Sequence, residues 1–247
     1  MTDHKPTYAT ISGNSSQLPA ANAGIMAYKP AIILGSSIVL MLVWKNFGTV
    51  EFYLNSIAAV GQDARSQSNA AVYQFVSCLV LLGVIPSLIV TLVFRERLVD
   101  YGVGLGNRLL TIRSFLIAAP AFAFFGYLST MAPGMDEAFP INKQAGTTTT
   151  LWFHACTYAL FYLGWEFHFR GFLQFGLADS MGRPSALLVQ VVASSLLHIG
   201  QPLTESIAAI AGALLWGWLA YRTKSILSGM LQHILLGLVV DAAIIFS

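Results

Sequence analysis

Residues 66–94 read SQSNAAVYQFVSCLVLLGVIPSLIVTLVF, and none of them is charged. A helix needs about 20 residues to cross the hydrocarbon of a bilayer, so this stretch is long enough to span one. Only helices and closed barrels satisfy their backbone groups there, and an unbroken apolar run lacks the alternation of a barrel strand. The rest of the chain agrees. Of its 247 residues, 56% are hydrophobic and 10% charged, where a soluble domain carries about 25% charged residues; mean hydropathy is +0.68. Too few charges remain to cover a water-facing surface. That excludes a soluble enzyme, a secreted disulfide scaffold and a nucleic-acid binder. A net charge of +2 is too small to draw a polyanionic partner. Cys78 and Cys156 both lie in apolar runs and read as packed thiols, not as a bridge or a metal clip.

Outward from 66–94, apolar runs alternate with short polar breaks. They cover 31–44, 114–131, a stretch from 149 through Trp165 into Glu166 and Arg170, then 184–199, 206–221 and 225–246. The expected fold is all-α, a polytopic transmembrane helix bundle of about seven spans. Residues 1–25 are polar and read as a flexible tail, because such a segment cannot offset its own ordering entropy. No apolar h-region follows the first residues, so the tail does not read as a signal peptide. Residues 26–247 form the transmembrane domain. With the amino terminus in the cytoplasm, Lys5, Lys29, Arg95, Arg97, Arg108, Arg113, Arg183, Arg222 and Lys224 fall inside, and Lys45, Arg65 and Lys143 outside. Nine against three sets that orientation, in an integral membrane protein of the cell (inner) membrane. Arg170 is left over, because it belongs to a span.

Ionisable groups inside a bilayer cost about 2.5–3.5 kcal/mol each on insertion scales. Glu166, Arg170, His198 and His233 are therefore the candidate functional residues, with His168 and Asp241 secondary. Glu166 and Arg170 are four apart and share a helix face; taken alone, they could equally be a structural ion pair. Glu166 and His198 lie sixteen residues either side of residue 182, hence at similar depth, roughly 20 Å from the turn between their helices. His233 follows Lys224 by nine residues, about 13 Å from the same face. One carboxylate, one guanidinium and two imidazoles can thus converge below the cytoplasmic face. A desolvated glutamate can act as general base on a trapped water, with Arg170 orienting it and imidazoles placing the water or stabilising an oxyanion. Glu166, His198 and His233 could instead hold Zn²⁺, but the H-E-x-x-H pair is absent and the metal-free reading leads; no cofactor is expected.

Three stretches resemble the CAAX protease and bacteriocin-processing family (CPBP, or Abi) of intramembrane endopeptidases. Trp165-Glu166-Phe167-His168-Phe169-Arg170-Gly171 resembles its E-E-x-x-x-R-G motif, Ser194-Ser195-Leu196-Leu197-His198 its F-x-x-x-H, and His233-Ile234-Leu235-Leu236-Gly237 its H-x-x-x-N. Gly212 to Leu219, followed by Ser225-Ile226, is similar to the family's penultimate helix. The resemblance covers residues 95–245. It implies hydrolysis of a membrane-anchored or lipidated peptide, with the lipid bilayer as setting. The chain departs from the pattern at three places: Trp165 replaces the first Glu, Ser194 the Phe and Gly237 the Asn. Glu166, the only carboxylate in the motif, is then the expected base. His168 reads as structural or as a lipid-headgroup or neighbour contact, Asp241 as a helix–helix hydrogen bond, and Gln190 as a packing residue or as orienting His198.

Two other classes compete. A catalytically inactive relative, acting as a binding or immunity protein, fits the missing Glu and Asn. A proton-coupled transporter would use Glu166 and the histidines as a relay, but it predicts inverted repeats, which the sequence lacks.

Overall fold

The structure, a computed structural model, describes residues 20–58 and 63–247. The polar tail expected over 1–25 therefore lies outside the described residues at positions 1–19. Eight main helices follow: α1 (Ala20–Ala27), α2 (Lys29–Phe47), α3 (Ala64–Phe94), α4 (Arg108–Ser129), α5 (151–181), α6 (Arg183–Leu196), α7 (Leu203–Thr223) and α8 (Leu227–Ile245). No β-strand occurs among the described residues. The fold is a helical membrane bundle, and each of the seven apolar runs is found as a helix, α2 to α8. Among the described residues, α2, α3, α4, α7 and α8 are long and apolar enough to cross a membrane. The fifth run differs. Helix α6 has 14 residues and spans only about 21 Å, less than the ~30 Å hydrocarbon thickness.

Local chemistry sets the ends. Asn107 Oδ1 accepts from Leu110 N at 3.1 Å and starts α4 before its apolar run. Thr150 Oγ1 accepts from Phe153 N at 3.3 Å at the start of α5. Gly182, at φ 79°, turns the chain from α5 into α6, inside the polar break the sequence marks. Pro86 has no N–H to donate, and α3 carries wide i→i+5 turns on both sides of it, over Leu79–Val84 and Ile89–Phe94. Lys29 Nζ holds both oxygens of Glu96, at 2.8 and 2.7 Å, tying the start of α2 to the end of α3.

Helix α5 is the centre of the bundle. It touches α2, α3, α6, α7 and α8, while α4 lies along α8. Position decides exposure. Within α4 only Thr111 and Gly126 are buried, and Leu116, Ile117, Phe124 and Phe125 face outward, as a lipid-facing helix requires. Every residue from Phe167 to Gln174 is buried. Aromatic rings fill the space around α5: Trp165 meets Trp44, Phe161 and Phe169 with centroids 5.8, 5.5 and 4.8 Å away. Cys78 is buried in this core, Sγ 3.5 Å from Phe161 O. Cys156, expected to be packed, is exposed, because it lies on the outer side of α5.

Helices α3 and α5 meet backbone to backbone at a pair of glycines. A Cβ on Gly164 would stand 2.7 Å from Cys78 O and 2.8 Å from Leu79 Cα, and one on Gly83 3.2 Å from Gly164 Cα. Small residues give membrane helices this close approach. Gly164→Ala gains alanine's helix preference, about 1 kcal/mol, but the neighbours are backbone and cannot move aside, and overpacking costs about 1–3 kcal/mol. Thermal unfolding in detergent is expected at a lower midpoint for Gly164→Ala. Gly35→Ala, whose Cβ meets nothing within 4 Å, is expected to leave the midpoint level or higher. Equal behaviour of the two variants would contradict the contact.

Candidate active site

Glu166 ends the regular α-helical part of α5, and the turns widen to i→i+5 over Phe167–Phe175, a distortion found often at functional sites. The carboxylate is fully buried. Its Oε1 accepts from His233 Nδ1 at 2.8 Å and lies 3.1 Å from Arg170 Nη1. The arginine contact is an ion pair without hydrogen-bond alignment, since Nη1 and Nε have no hydrogen-bond partner. A buried charge is tolerable when an opposite charge meets it, and Arg170, itself 2% exposed, supplies that charge. A carboxylate can only accept, so His233 carries its hydrogen on Nδ1 and turns Nε2 away from Glu166.

Aromatic faces fix the imidazole. Tyr162 and Trp216 both pack against His233, centroids 4.4 and 4.3 Å away. Trp216 also sits under the Arg170 guanidinium, 5.5 Å from ring centre to Cζ, and donates Nε1–H to Gln232 Oε1 at 3.1 Å. Glu166 Oε2 is buried with no hydrogen-bond partner. A Cβ on Gly229 would stand 3.4 Å from it and 3.0 Å from Trp216 Cβ, so Gly229 borders both the free oxygen and the indole.

His198 is placed differently. Helix α6 stops at Leu196, and His198 lies in the following turn, which Gly200 completes at φ 94°. Its Nδ1 donates to Ser194 O at 2.8 Å. The ring stands edge-on to Trp165, 5.5 Å away, and Nε2 faces Glu205 Oε1 at 3.9 Å. Arg170 and His233 are among its charged neighbours. Glu166, Arg170 and His233 are therefore in direct contact, while His198 reaches the edge of that group with Trp165 beside it. Among the described residues, no three His, Cys, Asp or Glu side chains gather as a metal-binding group.

The secondary residues have structural places. His168 is fully buried against Phe169 and Phe172, with the Leu82 backbone as its polar neighbour; burial removes the lipid-headgroup reading. Asp241 Oδ2 bonds His154 Nε2 at 2.7 Å and ties α8 to α5, the helix–helix bond expected of it. Gln190 does not orient His198: its Nε2 donates to Ala213 O at 2.9 Å, and Gln174 Nε2 to Gly217 O at 2.8 Å, joining α6 and α5 to α7.

Three residues of this site carry no signal that sequence reading could use. Tyr162 and Trp216 look like packing aromatics in an apolar chain. Glu205 stands at the border of a span, where a carboxylate is ordinary. Gly237 was the one visible trace: a Cβ there would overlap the Tyr162 hydroxyl, so the tyrosine fills the space a side chain at 237 would take.

A family model described as Rce1-like: Type II CAAX prenyl endopeptidase Rce1-like matches residues 144–239. The match spans all three motifs and bears out the resemblance to CPBP intramembrane proteases. No curated protein and no solved structure matches the chain.

Two stability predictions follow from the geometry. Arg170→Met removes the cation that touches the buried Glu166 carboxylate and is expected to destabilise by about 3–5 kcal/mol; adding Glu166→Gln should restore part of the loss in the same detergent unfolding assay. Gly237→Ala is expected to cost about 1–3 kcal/mol through overlap with Tyr162. Tyr162→Phe in that background should recover stability; a Gly237→Ala variant as stable as the parent would contradict the overlap.

Proposed function

We propose that this chain is an intramembrane endopeptidase that hydrolyses a membrane-anchored or lipidated peptide by a glutamate-activated water. The observation that carries the reading is Glu166, sealed inside a lipid-embedded bundle, sharing Oε1 between Arg170 and His233 and keeping Oε2 unpaired. A structural ion pair needs neither an imidazole from a second helix, packed against two aromatic rings, nor an unpaired carboxylate oxygen. Glu166 Oε2 and the Nε2 lone pairs of His233 and His198 supply what the first step of amide hydrolysis requires, an acceptor for the proton of water.

The surroundings support an anchored substrate. A groove of about 800 Å³ between α2 and α6 is lined by Ile38, Leu42, Leu188, Val192 and Leu196, with Lys45 and Leu197 at its margin. Leu197 and Ile199, the sequence neighbours of His198, both line it. An apolar anchor can lie there while the peptide backbone reaches the imidazoles. The proposed orientation keeps the amino terminus in the cytoplasm of the cell (inner) membrane, by the lysine and arginine bias. The competing reading, a non-catalytic binding or immunity relative, draws on Trp165 and Gly237 at two motif positions.

Reconstituted in liposomes, the purified chain is expected to cleave a prenylated or acyl-anchored reporter peptide. Glu166→Gln and His198→Ala should each lower turnover by about 100-fold or more, the usual weight of a proton-transfer group. Undiminished turnover in Glu166→Gln would overturn the assignment of that residue, and cleavage indifferent to both substitutions would overturn the function. A chelator is expected to leave the rate unchanged; its loss would favour zinc on Glu166, His198 and His233.

A further inference from the structure

Glu205 is a carboxylate that the motifs do not contain. It stands in the first turn of α7, where the helix start favours negative charge. Its side chain is 21% exposed, and Oε2 is buried with no hydrogen-bond partner. Oε1 lies 3.9 Å from His198 Nε2, too far for a direct hydrogen bond and within the span that one water bridges.

Both groups are held in register. Ser206 Oγ donates to His198 O at 3.1 Å, clamping the turn after α6 to the start of α7. Ser194 O can only accept, so the neutral His198 carries its hydrogen on Nδ1 and presents a lone pair at Nε2. A water placed between them would give one hydrogen to Nε2 and the other to Glu205 Oε1, leaving its own lone pairs free. Trp165, edge-on to His198, offers no acceptor, because an indole only donates. Glu166 has Oε1 taken by His233 and Arg170 and only Oε2 free.

We propose that Glu205 is a catalytic carboxylate of this chain, binding and deprotonating the attacking water together with His198. The proposal rests on the endopeptidase reading and moves its proton-accepting step from Glu166, whose Oε1 holds His233 and Arg170, to Glu205. Glu205 Oε1 takes a proton from the water. The released pair on oxygen bonds the carbonyl carbon, and the carbonyl π pair moves to its oxygen. Collapse restores the C=O bond and breaks the C–N bond, while the proton passes from Glu205 to the leaving amine. The products are a carboxylic acid and an amine, and the carboxylate is regenerated. The charged groups facing the pair are Lys45 of α2, Arg170 of α5 and His233 of α8.

The test uses the full chain in liposomes with a lipid-anchored reporter peptide. Glu205→Gln is expected to lower kcat by about 100-fold or more with KM changed less than about twofold. The thermal midpoint should be kept and the acidic limb of the kcat–pH profile lost. Glu205→Asp should recover part of the rate and restore that limb. An independent measurement needs no substrate: a structure of the chain in lipid at a resolution that shows waters should place one within hydrogen-bonding reach of both His198 Nε2 and Glu205 Oε1. Cleavage lost in Glu166→Gln but kept in Glu205→Gln would overturn the role of Glu205 and leave the proposed function standing. Cleavage kept in both would remove both. A direct His198–Glu205 contact, or a dry gap between them, would also overturn it.

Discussion

A carboxylate and a guanidinium four residues apart, both sealed from water, constrain everything packed around them. Neither could stay ionised alone in the bundle interior, because an unpaired buried charge costs far more than a single helix contact returns. Together they are neutral, and their remaining valences dictate neighbours. Oε1 recruits the His233 Nδ1–H from α8, and the Arg170 guanidinium takes the face of Trp216 from α7. Three helices are thereby held at one point. The wide turns of Phe167–Phe175 fall on the segment that carries the arginine, so helix geometry and charge pairing change together.

That pair can be buried only because α5 is enclosed on all sides, and enclosure depends on small residues and flat ones. The Gly83–Gly164 approach removes the gap between α3 and α5, while buried glutamine amides bond carbonyls of α7 from α5 and α6. Each amide bond to a backbone oxygen in lipid satisfies a group that water cannot reach. Aromatic rings fill what remains, and they also restrain the imidazole: His233 packs against both Tyr162 and Trp216. The packing that stabilises the bundle is thus the packing that orients the polar groups.

Part of this was legible beforehand. Lack of charge over 66–94 was enough for a membrane helix, since hydrocarbon admits few alternatives. Glu166, Arg170 and His233 stood out for the opposite reason, as costly groups in an apolar chain, and the structure puts them in contact. His198 was visible as a residue but not as a position. Its depth was reckoned along a continuing helix, whereas α6 ends at Leu196 and a glycine-completed turn carries the imidazole on to α7. Cys156 was misread, and Gln190 left open, for a related reason: period and hydropathy place a residue on a helix but do not say which neighbour, or which lipid, the face meets.

Composition and the spacing of ionisable residues determined by themselves that this chain is a helical membrane bundle with a polar group inside it, because desolvation penalises every other arrangement regardless of detail. Only the tertiary structure decided which groups meet. Tyr162 occupies the volume beside Gly237, and Glu205 arrives opposite His198 from a different helix. Such meetings depend on where helices stop, cross and turn, quantities set by packing between segments far apart in the chain and written in no single stretch of it.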